Sequence, residues 1–130
     1  HLGQDDLDIK AAREYLGADK IIGVSAHNVK EALEAENGGA DYLGSGAAFV
    51  TSTKTDAGAI DHKVLSDVAH SVKIPVVAIG GINKDNISQL EGLGLDGVAV
   101  VSAIFAADDI SSAVIDLKAK AEKVAESSVK

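Results

Sequence analysis

Short runs of apolar residues alternate along the chain with stretches whose apolar positions follow a helical period. The runs are KIIGVS (Lys20 to Ser25), ADYLGSG (Ala40 to Gly46), IPVVAIGG (Ile74 to Gly81) and DGVAVVSAIF (Asp96 to Phe105). They are too short for helices and rich in Val and Ile, which predicts buried strands. Between them, DIKAAREYLG puts Ile9, Ala12 and Leu16 on one face and ends at Gly17, a residue suited to closing a helix. NVKEALEAENGG opens on Asn28 as a cap, carries Glu31 three residues later and stops at Gly38 and Gly39. DHKVLSDVAHSV and NKDNISQLEGLG repeat the arrangement. The stretch from Asp108 predicts a longer last helix that frays into a polar tail over 121–130.

Strand and helix in strict alternation imply an α/β fold with parallel strands joined by crossovers. With a strand stub at His1 to Gly3, the pattern predicts about five parallel strand positions and five helices in a single domain over 1–130. That is more than half of an eight-stranded (β/α) TIM-type barrel. A doubly wound open sheet is the alternative. In both, chemistry gathers at the carboxyl ends of the strands.

Composition agrees with this pattern. Hydrophobic residues make up 46% of the chain with only 3% aromatic, and 13 glycines stand against one proline, as expected for buried parallel strands joined by tight turns. A formal net charge of −8 disfavours binding to a nucleic-acid backbone, which needs Lys and Arg in excess. With no cysteine, disulfides and thiolate metal sites are excluded. No apolar run approaches the roughly 20 residues that span a bilayer, and the expectation is a soluble, cytoplasmic protein without a membrane partner.

The predicted strand ends carry the candidate chemistry. AIGGI (Ala78 to Ile82) and VVSAIF (Val100 to Phe105) put Gly or Ser just before a helix or half-turn in consecutive strands, where barrels build phosphate sites from backbone amides. The alternative is a tight strand-to-helix turn around Gly80 and Gly81. TSTK (Thr51 to Lys54) places hydroxyls beside an ammonium, a set that serves phosphate or pyrophosphate oxygens and equally fits a solvated loop. In QDD (Gln4 to Asp6), a carboxylate could carry Mg²⁺ or cap a helix. GVSAHN ends with Ser25 and His27, which belong to no evident nucleophilic triad. His27 reads as a cap or a hydrogen-bonded core group, and His62 and His70 as surface residues.

Taken together, HLGQDD, IIGVSAHN, EALEAENGGADYLGSGAAF, TSTK, IPVVAIGGI and DGVAVVSAIF resemble the thiamine-phosphate synthase (thiamine-phosphate pyrophosphorylase) family, in the family's order and almost from end to end. The resemblance implies a (β/α) barrel that joins hydroxymethylpyrimidine pyrophosphate to hydroxyethylthiazole phosphate, giving thiamine phosphate and pyrophosphate. It also implies a Mg²⁺ cofactor, with Asp6 as one of two metal carboxylates. By the same resemblance Ser25, Thr51, Thr53 and Lys54 contact the pyrophosphate, and Lys54 supplies fixed positive charge. Ser25 and Lys54 are the catalytic candidates. The backbone around Gly81, Val101, Ser102 and Ile104 holds the thiazole phosphate. The family often has Pro after the Phe of the long loop, where this chain has Val50.

The family's first three strands, with its other metal carboxylate, have no counterpart here. The expectation is an amino-terminally truncated barrel portion that is weakly active or inactive alone and self-associates through exposed sheet edges. Two other readings remain: a thiazole tautomerase-like enzyme, which has no need of the TSTK loop, and a non-catalytic phosphate-binding half-barrel.

Overall fold

A computed structural model of the chain describes residues 1–50 and 59–127. Helix starts are set by short polar side chains. Asp8 caps α1 (Ile9–Leu16), Asn28 caps α2 (Val29–Asn37), Asp61 caps α3 (His62–Ser71) and Asp109 caps α5 (Ile110–Glu126), each accepting from a first-turn N–H. Such caps contribute about 1 kcal/mol apiece. Helix α4 (Ser102–Phe105) differs, because its N-cap position is Val101 and no side chain caps it. Gly17 closes α1 at φ +93, its N–H donating to Arg13 O.

The strands β1 (Gly23–Ala26), β2 (Tyr42–Ser45), β3 (Val76–Ile79) and β4 (Gly97–Ala99) form one four-stranded sheet in the order β1-β2-β3-β4, with every neighbouring pair parallel. Leu2 supplies the fifth strand position: it bridges Val24, with Leu2 N–H donating to Gly23 O and Ser25 N–H to Leu2 O. An order that follows the sequence without reversal is that of a (β/α) barrel segment. A doubly wound sheet reverses at a switch point.

The two faces of the sheet are unlike. Val24, Ala26, Leu43, Ser45, Val76 and Ala78 are buried on the face covered by helices, together with Ala32, Ala35, Leu65, Val68 and Ala69; helices α2, α3 and α5 pack against that sheet. The opposite face carries Gly23, Ser25, Tyr42, Gly44 and Val77, partners in register across three strands, and Ile79 two residues along β3 from Val77. Its small residues make room for large ones. A Cβ on Gly23 would lie 2.0 Å from Tyr42 Cζ, so the tyrosine ring rests on the glycine.

At the amino ends of the strands Arg13 binds the chain together. Its guanidinium donates to Gly39 O at 2.8 Å, to Lys20 O and to Asp41 Oδ2 at 2.8 Å, while the same Asp41 oxygen accepts from Ile22 N–H at 2.8 Å. This end of a barrel serves stability, leaving the carboxyl ends for function.

Three expectations are corrected. NKDNISQLEGLG forms only a 3₁₀ turn at Ile87–Leu90, because the Asn83 side chain takes up the amides of Asp85 and Asn86 and glycines at positive φ follow at Gly92 and Gly94. The run read as one strand from Asp96 to Phe105 splits into β4 and the short helix α4. The last helix continues to Glu126 with Val124 fully buried, where the sequence predicts a frayed tail from residue 121. No helix among the described residues is long and apolar enough to cross a membrane.

Candidate phosphate cleft and strand-end site

The carboxyl ends of β3 and β4 enclose a cleft of about 220 Å³, lined by residues 79–82 and 99–102. Gly80 and Gly81 turn the chain out of β3 at φ +94 and +66, values that residues with a Cβ rarely adopt. Gly81, Ile82 and Ser102 line the cleft, and their backbone N–H groups have no acceptor among the described residues. An unpaired amide near the surface is a ready donor to an anion. Of the residues expected here, Gly81, Val101 and Ser102 meet in the cleft. Ile104 does not line it, and its N–H donates to Val101 O inside α4.

Ser25 lies on β1, two strands from β3, about 10 Å at ordinary strand spacing. Its Oγ is 2.9 Å from His1 Nε2, and His1 Nδ1 is 2.9 Å from the Tyr42 hydroxyl. The three side chains therefore form one hydrogen-bonded chain on the open sheet face. Gln4 Nε2 donates to Ser25 O at 2.6 Å, which ties the stub to β1. Asp6 is exposed, and its Oδ2 accepts from Gly3 N–H at 2.7 Å. It closes a turn; the helix cap is Asp8. No cluster of three or more His, Asp or Glu suited to a metal exists among the described residues.

Thr51, Thr53 and Lys54 lie outside the described residues. The chain on either side of them is anchored. Ala48 N–H donates to Ile79 O and Phe49 N–H to Gly80 O, while Ile60 N–H donates to Ala47 O. His62 is no plain surface residue: half-buried, it sits with Nε2 3.0 Å from Ala48 O and its ring edge-on to Phe49 at 5.1 Å. His70 is exposed as expected. His27 is exposed as well, and is therefore no core group; its Nδ1 pairs with Glu31 Oε1 at 2.8 Å, because the residue falls just beyond β1 where the chain turns into α2.

The family model described as thiamine monophosphate synthase matches residues 1–104, spanning Leu2, all four strands and the cleft. The chain belongs to this family. A thiamine-phosphate synthase of Clostridium beijerinckii is 50% identical over 118 residues, which is 91% of this chain and 56% of that protein. One from Clostridium acetobutylicum is 54% identical over 110 residues, covering 85% of this chain and 52% of the relative. Among solved structures, the thiamine phosphate pyrophosphorylase of Pyrococcus furiosus superposes with a TM-score of 0.84 at 47% identity, over 95% of this chain and 58% of that one. The chain thus spans about half the length of the thiamine-phosphate synthases it matches. Within that span its fold is that of the thiamine-phosphate synthase barrel.

His1, Tyr42 and His62 join the sequence candidates only through the fold. The one signal for the first two was the small-residue spacing of Gly23 and Gly44, which leaves space on the open face for larger neighbours.

Proposed function

We propose that this chain provides the carboxyl-end loops with which a thiamine-phosphate synthase binds its two phosphorylated substrates in thiamine biosynthesis. The reaction joins hydroxymethylpyrimidine pyrophosphate to hydroxyethylthiazole phosphate. The bond from the pyrimidine methylene to oxygen breaks with its electron pair leaving on pyrophosphate, and the thiazole nitrogen captures the resulting cation. The protein's work is then to stabilise departing negative charge and to keep water from the cation.

The observation that carries this reading is the cleft with the amides of Gly81, Ile82 and Ser102, which have no acceptor among the described residues, in a chain of this family. Those amides, with the backbone around Val101, hold the thiazole phosphate. Ser25, together with Thr51, Thr53 and Lys54, holds the pyrophosphate. Lys54 contributes a permanent cation, and the hydroxyls add short hydrogen bonds.

Asp6 fits a supporting role toward Mg²⁺. Its carboxylate is exposed, and among the described residues only Oδ2 is engaged, by Gly3 N–H; Mg²⁺ typically takes one or two carboxylates and completes its shell with water and substrate phosphate. When bound, the ion offsets the charge of the leaving pyrophosphate.

The test is a pair of calorimetric titrations of the chain, one with hydroxyethylthiazole phosphate and one with pyrophosphate plus Mg²⁺. Saturable, competing-phosphate-sensitive binding of the first supports the cleft, and binding of the second supports the strand-end set. Binding of the first alone leaves a phosphate-binding half-barrel. Binding of neither overturns the proposal.

A further inference from the structure

Outside the cleft lining, the Asn86 side chain bridges the two ends of the turn that follows β3. Its Oδ1 accepts from Asn83 N–H at 2.8 Å, and its Nδ2 donates to Gly81 O at 2.9 Å. A backbone donor on one side and a backbone acceptor on the other leave a single orientation for the amide. Asn86 is half-buried and does not line the cleft, whereas Gly81 and Ile82 do.

The Gly81–Ile82 peptide is trans, so its C=O and N–H point in opposite directions. With the Gly81 carbonyl held by Asn86, the Ile82 N–H points away from Asn86, and that N–H has no acceptor among the described residues. Glycine at 81 gives this peptide more torsional freedom than any other residue would. Some other group must then fix its plane, and the only side chain bound to the Gly81 carbonyl among the described residues is Asn86.

We propose that Asn86 is a positioning residue that aims the Ile82 amide at a phosphate group held in the cleft. The inference rests on the reading of the cleft as a phosphate site. Asn86 makes no contact with the anion itself and acts through the Gly81 carbonyl.

The experiment follows the backbone amides of ¹⁵N-labelled chain during titration with inorganic phosphate. In the parent chain the resonances of Gly81, Ile82 and Ser102 move together and saturate. In Asn86→Leu, similar in size but without either hydrogen bond, the Ile82 response is lost, the Ser102 response persists, and affinity falls roughly three- to tenfold, the value of one net hydrogen bond. Should that variant fail to fold, Asn86→Asp keeps the acceptor for Asn83 N–H and deletes only the donor to Gly81. Its added charge would weaken the Ile82 and Ser102 responses alike, whereas loss of aim removes the Ile82 response selectively. A variant that titrates like the parent, even with a lowered melting temperature, overturns the inference and leaves the cleft standing. A parent chain in which none of the three amides responds overturns the cleft and the inference together.

Discussion

Gly80 and Ala47 meet at van der Waals contact across the loops that leave β3 and β2: a Cβ built on Gly80 would stand 2.7 Å from both Cα and Cβ of Ala47. Gly80 is also at φ +94. Gly80→Ala therefore incurs backbone strain and a clash at once, and the expected cost is about 1–3 kcal/mol or more of stability. The substitution displaces the Gly81 turn, so phosphate affinity should fall with it. Thermal unfolding and a phosphate titration check both effects. Unchanged values in both would mean that the two loops move apart without cost.

A pH prediction follows from the amino-end clamp. The Arg13 guanidinium, and after it the Ile22 N–H, hold the Asp41 carboxyl below its ordinary value of 3.8. A carboxylate with a depressed folded-state pKa stabilises the fold at pH values above its unfolded pKa. That contribution is lost as pH falls from about 3.8 through the folded value. Asp109 behaves alike through the Ser112 N–H and hydroxyl. Melting curves between pH 6 and pH 2 should show the parent losing stability more steeply below pH 4 than Asp41→Asn, which begins from a lower plateau. Parallel curves would remove Asp41 from the acid transition.

The alternation of strand and helix was legible because each segment has a single period and a capping residue at its start. Asp8, Asn28, Asp61 and Asp109 all cap helices. Legibility failed where neither cue exists. The run VVSAIF has one polar residue, Ser102, and it stands inside α4 with Val101 at the cap position, so no capping side chain marks the change from β4 to α4. The Asn83 side chain competes with the helix for its amides, a contest that periodicity does not register. The cleft was readable from Gly81 and Ser102 at consecutive strand ends. The Ser25–His1–Tyr42 chain was not, because it depends on strand pairing between residues 24 to 41 positions apart. Asn86 was hidden for a different reason: it acts on a backbone carbonyl and looks in sequence like any turn residue.

Substitution of Lys54 tests the two proposed phosphate sites separately. If it provides the fixed charge for pyrophosphate, Lys54→Ala should weaken pyrophosphate binding in the presence of Mg²⁺ by about 10- to 100-fold, the range for a hydrogen bond to a charged group. Thiazole phosphate binding should be unchanged, since its proposed cleft is built from the backbone amides of Gly81, Ile82 and Ser102. Calorimetry on both ligands checks the split. Equal losses would show that the lysine serves both phosphates or neither.

Self-association is expected from the edge of the sheet. Among the described residues β4 has a strand neighbour on one side only, and Phe105, on the helix that follows it, is 74% exposed alongside exposed Val101 and Ile110. An unpaired strand beside apolar surface favours pairing with another chain. Sedimentation velocity should show a weight-average mass that rises with concentration, and Phe105→Glu should lower it. A constant monomer mass across the range would count against the edge as a sticky surface.

Ser45 offers the opposite kind of test, a substitution expected to stabilise. It pairs in register with Ala26 on one side and Ala78 on the other, on the helix-covered face where all three are fully buried. Its Oγ has no hydrogen-bond partner among the described residues. A buried hydroxyl without a partner costs about 1–3 kcal/mol, and alanine has the size of both neighbours. Ser45→Ala removes the unsatisfied oxygen and leaves a small void, so the net expectation is a gain of about 1 kcal/mol. Denaturant unfolding at constant m-value measures it. A loss of stability would instead reveal that the hydroxyl is satisfied by water or by a group beyond the described residues.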